Sequence, residues 1–400
     1  MSTTAPAPEG SPAATQRPPF DTARLDRLLA EADVDAVVTT SRQASQYMLG
    51  GYSFPFFDHR DAIGLSRYLP VMVYVPGRPE LTAYIAHRLE RHEKQLGRFW
   101  APVVETVSGT STDAVGHAVQ HLQRIGIPLR RIGVEPAFLP SDAAAVLRDG
   151  LPNAALVDVA QPLERLRARK SPAELALLRE ASERVVASML ATFAACEPGA
   201  TKAELVERLR QEEVRRGLTF EYCLITAGTG LNRAASDQKI APGDIVSLDS
   251  GGRYRGYIGD LCRMGVVGEP DAELAELLAE VAAIQQAARR MVRAGVAGGE
   301  VQAAGEAAAA ASPHAQHIEF LAHGMGLVQH EAPWLTATGP IPYQAHDGER
   351  PLEADMVLSV ETTLLHPRRG FIKLEDTVAV TEGGCEPMGD AGRGWNRIGR

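Results

Sequence analysis

Four carboxylates and two histidines in the second half of this 400-residue chain have the types and spacing for metal chemistry. Asp249 and Asp260 lie in GDIVSLDSGGRYRGYIGDLCRMG, which reads as strand, glycine-rich turn, strand. If the two pair directly, the hairpin centre falls between Tyr254 and Arg255. Glu361 and Glu375 lie in ADMVLSVETTLLHPRRGFIKLEDTVAVTEGG, and pairing them puts that centre at Arg368. Directly opposed residues share a face, with Cβ atoms roughly 4.5–5.5 Å apart, and like charges so placed repel. Taken singly, a strand carboxylate is most often a solvated surface group. The runs IVSLDS and MVLSVET are core-like, however, and leave little exposed face for an acid. A cation would relieve both pairs. The third element is His323-Gly324-Met325-Gly326-Leu327-Val328-Gln329-His330-Glu331-Ala332-Pro333, read as a loop whose glycines let backbone approach a ligand. One imidazole and four carboxylates suit two divalent ions such as Mn, Co, Fe or Zn, and four negative charges balance such a pair. Two ions so held would activate water and polarise a carbonyl oxygen.

These residues need elements to hold them. Strand-like runs fall at 219–227, 244–250, 257–267, 356–365 and 371–381. Ser171-Pro172-Ala173-Glu174 is a capping box opening a helix predicted to reach about Ala195, and Thr201-Lys202-Ala203-Glu204 opens another. Further helices are predicted over 271–293 and 299–311. Helices interleaved with antiparallel hairpins make an α+β domain. Before them, TARLDRLLAEADV and DAVGHAVQHLQRIG read as helices, and VDAVVTT, YLPVMVYVPG, LTAYIA and RRIGVEPA as strands, an α/β layer domain. No glycine-rich phosphate loop follows any of those strands. Residues 1–19 read as a disordered tail rich in Pro, Ala, Ser and Thr, and the charged stretch 163–172 marks a boundary. The expected division is thus a tail over 1–19, an α/β domain over 20–164 and a catalytic domain over 165–400.

Composition narrows the field. With 45% hydrophobic and 23% charged residues the chain can bury a sizeable core. Forty-one basic against 50 acidic residues, and no basic run, argue against nucleic acid or an anionic membrane as partner. No apolar stretch approaches the roughly 18 residues of a membrane span. The first 19 residues lack the basic and apolar regions of a secretory signal. Cys196, Cys223, Cys262 and Cys385 form no CxxC and fit reduced thiols in a cytoplasm.

The Asp-x10-Asp hairpin, the HGxGxxxHExP loop and the glutamates of VET and LED together resemble the pita-bread metallopeptidase family, over about 165–400. The leading α/β domain and the RARKSPAE segment are similar to its two-domain creatinase, aminopeptidase P and prolidase branch. The resemblance implies a creatinase-N-like first domain, a pita-bread second domain and two metal ions per chain. Carried over, Asp249 would ligate one metal, Asp260 and Glu375 would bridge both, and His323 and Glu361 would complete the other site. Glu361 would also shuttle a proton, and His330 would hydrogen-bond substrate. Asn232 falls where the family's peptidases carry a substrate-contacting histidine, and Lys373 where many carry Arg. His59 or Arg60, in the aromatic Phe54–Arg60 segment, would hold a substrate carboxylate. The implied activity is hydrolysis of an amide-type C–N bond, Xaa-Pro dipeptidase or aminopeptidase P-like, in a homodimer acting on dipeptides or small molecules. Drift to a non-peptide amide, amidine or cyclic substrate, lyase chemistry, and a non-catalytic binding module are the other readings such a scaffold allows.

Overall fold

The computed structural model describes residues 17–59, 61, 64–338, 340–341 and 343–399. Most of the tail expected over 1–19, and Arg60, lie outside the described residues. Contacts divide the chain into two compact units, Met1–Leu166 and Arg167–Arg400.

The first unit alternates α1 (Thr22–Glu31), β1 (Ala36–Thr39), α2 (Arg42–Met48), β2 (Val71–Tyr74), β3 (Ala83–His87), α3 (Arg91–Gln95), β4 (Val103–Ser108), α4 (Ser111–Arg124), β5 (Arg131–Val134), α5 (Ser141–Gly150), β6 (Ala155–Asp158) and α6 (Ala160–Ala168). Its mixed sheet has the order β4-β3-β2-β1-β5-β6. Successive strand residues point to opposite faces. Val37, Met72 and Tyr74 therefore pack with Leu25, Leu29 and Met48 on one side. Val38, Val71 and Val73 pack with Ala114, Leu122 and Leu147 on the other. Both faces are covered, which makes an α/β layer. Phe54 and Phe57 are core residues here, and Phe56 stacks on Tyr68 at 4.2 Å between ring centroids.

The second unit runs α7 (Pro172–Ala195), α8 (Lys202–Arg215), β7 (Thr219–Ala227), β8 (Ile245–Tyr254), β9 (Tyr257–Val267), α9 (Ala272–Arg289), α10 (Gly298–Ala310), β10 (Ile318–Gly324), β11 (Val357–His366), β12 (Gly370–Val380), β13 (Cys385–Met388) and β14 (Asn396–Ile398). Both capping boxes form, with Ser171 and Thr201 accepting from the N3 amides and Glu174 and Glu204 reaching back. The main path of its sheet is β10-β11-β12-β9-β8-β7. On β8 and β9, Val246, Leu248 and Leu261 face α7 through Val185, Met189 and Phe193. On β11 and β12, Leu358, Val360 and Val378 face α9 and α10 through Ile284, Ala288 and Val301. A Cβ on Gly259 would meet the Ala181 backbone at 2.8 Å, so only glycine lets α7 lie this close to β9. With the helices on one face, the alternate strand positions look out from the other.

Candidate metal centre

Those alternate positions carry the acids. Register places Leu321, Glu361, Glu375, Cys262, Asp249 and Leu224 opposite one another in a row across β10, β11, β12, β9, β8 and β7. Glu361 pairs directly with Glu375, and the turn through Arg368 closes as the spacing predicts. The first hairpin departs from expectation. Asp249 opposes Cys262, and Asp260 opposes Gly251. The reason is its two-residue turn, in which Arg255 and Gly256 both take positive φ, the type I′ geometry that shifts the centre one position along. A shift of two in pairing keeps the face, so the two aspartates are diagonal neighbours.

His323 also corrects the sequence reading. It is the penultimate residue of β10, fully buried, because IEFLAHG continues the sheet beyond β11. His330 does lie in the following loop and stacks on His323, with ring centroids 3.8 Å apart. Oxygen or nitrogen atoms of Asp249, Asp260 and Glu375 come within 4.8 Å of one another, as do those of His323, Glu361 and Glu375, and those of Asp260, His323 and His330. The five expected ligands and His330 thus converge.

Each donor is held by neighbours. Ser359 Oγ donates to Glu375 Oε1 at 2.8 Å, and the Tyr222 hydroxyl donates to Asp260 Oδ1. A Cβ on Gly251 would strike the Tyr222 ring at 2.3 Å, so this glycine makes room for the ring that reaches Asp260. Lys373 Nζ lies 2.7 Å from Asp249 Oδ2, 2.5 Å from Glu361 Oε2 and 2.8 Å from Glu375 Oε2. Arg233 donates to the same Asp249 oxygen and lies over the Phe371 ring. Glu331, beside His330, is buried against Arg167 at 3.1 Å and Lys170 at 3.4 Å, so the charged RARKSPAE segment anchors the histidine loop.

The electrostatics call for a cation. Burial, then the charges of Glu375 and Asp249, push the Asp260 carboxyl well above the usual carboxylate range. Asp249 is also raised, by burial first, with Lys373 opposing the rise. For Lys373, burial alone would favour the neutral amine, but Asp249, Glu361 and Glu375 outweigh it and hold the ammonium charged well above its ordinary range. Asp260 Oδ2 and His323 Nε2 are buried without a hydrogen-bond partner among the described residues. A carboxyl oxygen and an imidazole nitrogen left without partners in a dry interior are costly unless something binds them. The donor set therefore fits a divalent ion.

The Asn232 side chain bonds locally and is not among the groups seen to hold the carboxylates. Asn232 is exposed, and its Oδ1 accepts from its own Ala234 amide, a local turn that turns the side chain back on the backbone. Arg233, one residue on, is the group that reaches the carboxylates. His59 is exposed in the first unit, and Arg60 lies outside the described residues. Arg233, Tyr222, Ser359 and Tyr343 carried no signal in the sequence, since their reach depends on register between separate segments. Lys373 did, because it precedes Glu375 by two residues on a strand and so shares its face.

Among the described residues no helix is long and apolar enough to cross a membrane. Residues 176–382 match the model of metallopeptidase family M24, and 22–169 match the creatinase/prolidase N-terminal domain. An uncharacterised peptidase of Bacillus subtilis is 28% identical over 262 residues, 64% of this chain and 72% of that protein. A probable dipeptidase of Mycobacterium tuberculosis is 31% identical over 232 residues, 56% of this chain and 59% of its own length. The matched segment thus spans about three fifths of that dipeptidase. The solved Xaa-Pro dipeptidase of Bacillus anthracis superposes with a TM-score of 0.78 at 22% identity, covering 94% of this chain and 99% of that one, a likeness of fold.

Proposed function

The chain belongs to metallopeptidase family M24, and from that premise we propose that it is a divalent-metal-dependent hydrolase cleaving an amide-type C–N bond in a small substrate, with Xaa-Pro dipeptides first in line. The observation that carries this reading is the convergence of Asp249, Asp260, His323, Glu361 and Glu375 on one face, with Asp260 Oδ2 and His323 Nε2 left bare. These five residues would hold up to two ions. A bound divalent ion supplies Lewis acidity, activating water and polarising the scissile carbonyl.

The chain's own groups do the rest. Glu361 is the least buried of the four acids, which suits a carboxylate that takes a proton from water and passes it to the leaving amine. His330 holds the carbonyl. Burial, then the Glu361 carboxylate, pushes the Tyr343 phenol up, so its hydroxyl keeps its proton and is bonded to His330 Nδ1, which accepts in the tautomer this reading uses. Nε2–H of a neutral imidazole is then left as a donor for the substrate oxygen.

A second reading has its own observation. Asn232, capping its own turn, offers no proton carrier where the family's peptidases place a histidine, and Arg233 stands in its neighbourhood. That favours a non-peptide amide, amidine or cyclic substrate on the same centre. A homodimer and a cytoplasmic location belong to the proposal as well, as does a substrate carboxylate held by His59 or Arg60. The test is metal content followed by turnover of Gly-Pro and Ala-Pro with Mn²⁺, Co²⁺ and Zn²⁺. Metal-dependent proline release is the expected result, with Arg60→Ala raising KM and leaving kcat. Metal binding without release moves the assignment to the second reading, and loss of neither activity nor binding in Asp260→Asn removes the centre itself.

A further inference from the structure

Lys373 is not a bystander to this centre. Its ammonium has three N–H donors, and one oxygen from each of Asp249, Glu361 and Glu375 lies 2.5–2.8 Å from Nζ. The side chain is only 6% exposed, so those three bonds are made out of water. A compact ammonium with all its donors used stands where a cation shared by these carboxylates would stand. The other half of the cluster differs. Asp260 Oδ2 and His323 Nε2, both fully buried, have no hydrogen-bond partner among the described residues, and the second imidazole, His330, is within reach of them.

Charge tells the same story. Four carboxylates are faced by Lys373 and by Arg233, both on Asp249. Two negative charges remain, which one divalent ion balances and two would exceed.

We propose that the Lys373 ammonium occupies one of the two cation positions of this centre, so that the chain takes up a single divalent ion on the Asp260–His323–Glu375 side before any second. This rests on the metallohydrolase reading and deepens it. Entry of a second ion must break three bonds of a buried ammonium and return it to water, while the first meets two unpartnered atoms, Asp260 Oδ2 and His323 Nε2, and competes with Lys373 at Glu375 alone. The second ion therefore binds at least about 100-fold more weakly, the low end of what breaking a buried charge cluster costs. Removing the ammonium frees three carboxylates at once, and the two affinities then converge.

The test titrates Mn²⁺ into chelator-stripped full-length protein, following heat of binding and the electron paramagnetic resonance spectrum. The wild type is expected to hold one ion with the signal of an isolated Mn²⁺, and Lys373→Met to hold two with affinities within about tenfold and an exchange-coupled signal. Two ions of like affinity in the wild type, or a coupled signal at two equivalents, overturns the role of Lys373 and leaves the hydrolase reading standing. An unchanged second affinity in a folded Lys373→Met, checked by circular dichroism, does the same. Absence of any binding in the wild type overturns both. Should the variant not fold, the wild-type stoichiometry alone decides.

Discussion

A neutral, bonded histidine at the edge of the cluster sets an expectation at the residue scale. Burial, then the neighbouring His323 and Lys373, push His330 down to about 2. Burial thus favours the neutral ring, and the proposed function uses it as a hydrogen-bond donor and not as a proton store. His330→Ala is expected to lower kcat by about 10²–10³, the usual cost of one carbonyl-binding donor. The acid limb of the pH–rate profile should remain in the variant, since other groups set it. Disappearance of that limb in His330→Ala, measured as kcat against pH from 5 to 9, would show the ring to be the titrating group. The acids were legible in the sequence at this scale because strand periodicity and turn position suffice to find them, whereas the first histidine was named by the family resemblance and misplaced in a loop. Tyr222, Tyr343 and Arg233 were not, because nothing local in TFEYCLITA, IPYQ or GLNRAA says which distant strand each will face.

At the scale of elements, one contact does what no local pattern foretells. The two hairpins were readable separately, but they share a floor only because β9 and β12 pair antiparallel with Glu375 opposite Cys262. The turn through Arg255 and Gly256 was the other miss: a non-glycine at positive φ hides a two-residue turn from a reader looking for Asn-Gly. Helices announced by capping boxes were clear, whereas the short β4, β6 and β10 went unread, the last concealed by its glycine-rich continuation. Element packing also carries a buried charge. Glu213 on α8 is fully buried against β8, where Ser250 Oγ donates to its Oε1 at 2.8 Å while Oε2 has no partner among the described residues. Burial pushes its carboxyl up to about 8, with Ser250 pulling it down and Glu221 adding to the rise. The unfolded chain releases this proton near 4.3, roughly the free Glu value, so the folded state is favoured below that pH and loses stability as pH climbs between the two values. Glu213→Gln removes the loss. Urea unfolding of metal-free protein should show a gain near zero at pH 4.5 that grows to about 4 kcal/mol at pH 8. A gain that shrinks with rising pH would contradict a carboxyl held neutral by the fold.

At the scale of the whole chain, the division of labour is one-sided. Among the described residues, the donors that cluster closely enough to hold a metal all lie between Asp249 and Glu375, within the unit Arg167–Arg400, on strands of its sheet or the loop after β10. The first unit has a closed core on both faces of its own sheet and places none of its described residues in that donor set. A ligand that binds only the native fold stabilises the cooperative unit that supplies its contacts, and local opening of elements elsewhere is not linked to it. The donors also span β8, β9, β10, β11 and β12, so a bound ion would tie together hairpins that otherwise meet at the Glu375–Cys262 pairing. Mn²⁺ should therefore slow amide exchange across these strands together, including at positions such as Val246 and Val378 that face the helices. Exchange in β1, β2 and β5 of the first unit should stay as it is in the chelated protein. Hydrogen–deuterium exchange with and without Mn²⁺, read by peptide, checks this directly. Protection confined to the peptides holding the ligands would mean that the ion orders side chains on a sheet already rigid. Equal protection in both units would mean that the two unfold as one, and that metal binding is coupled to the chain beyond the unit that holds it.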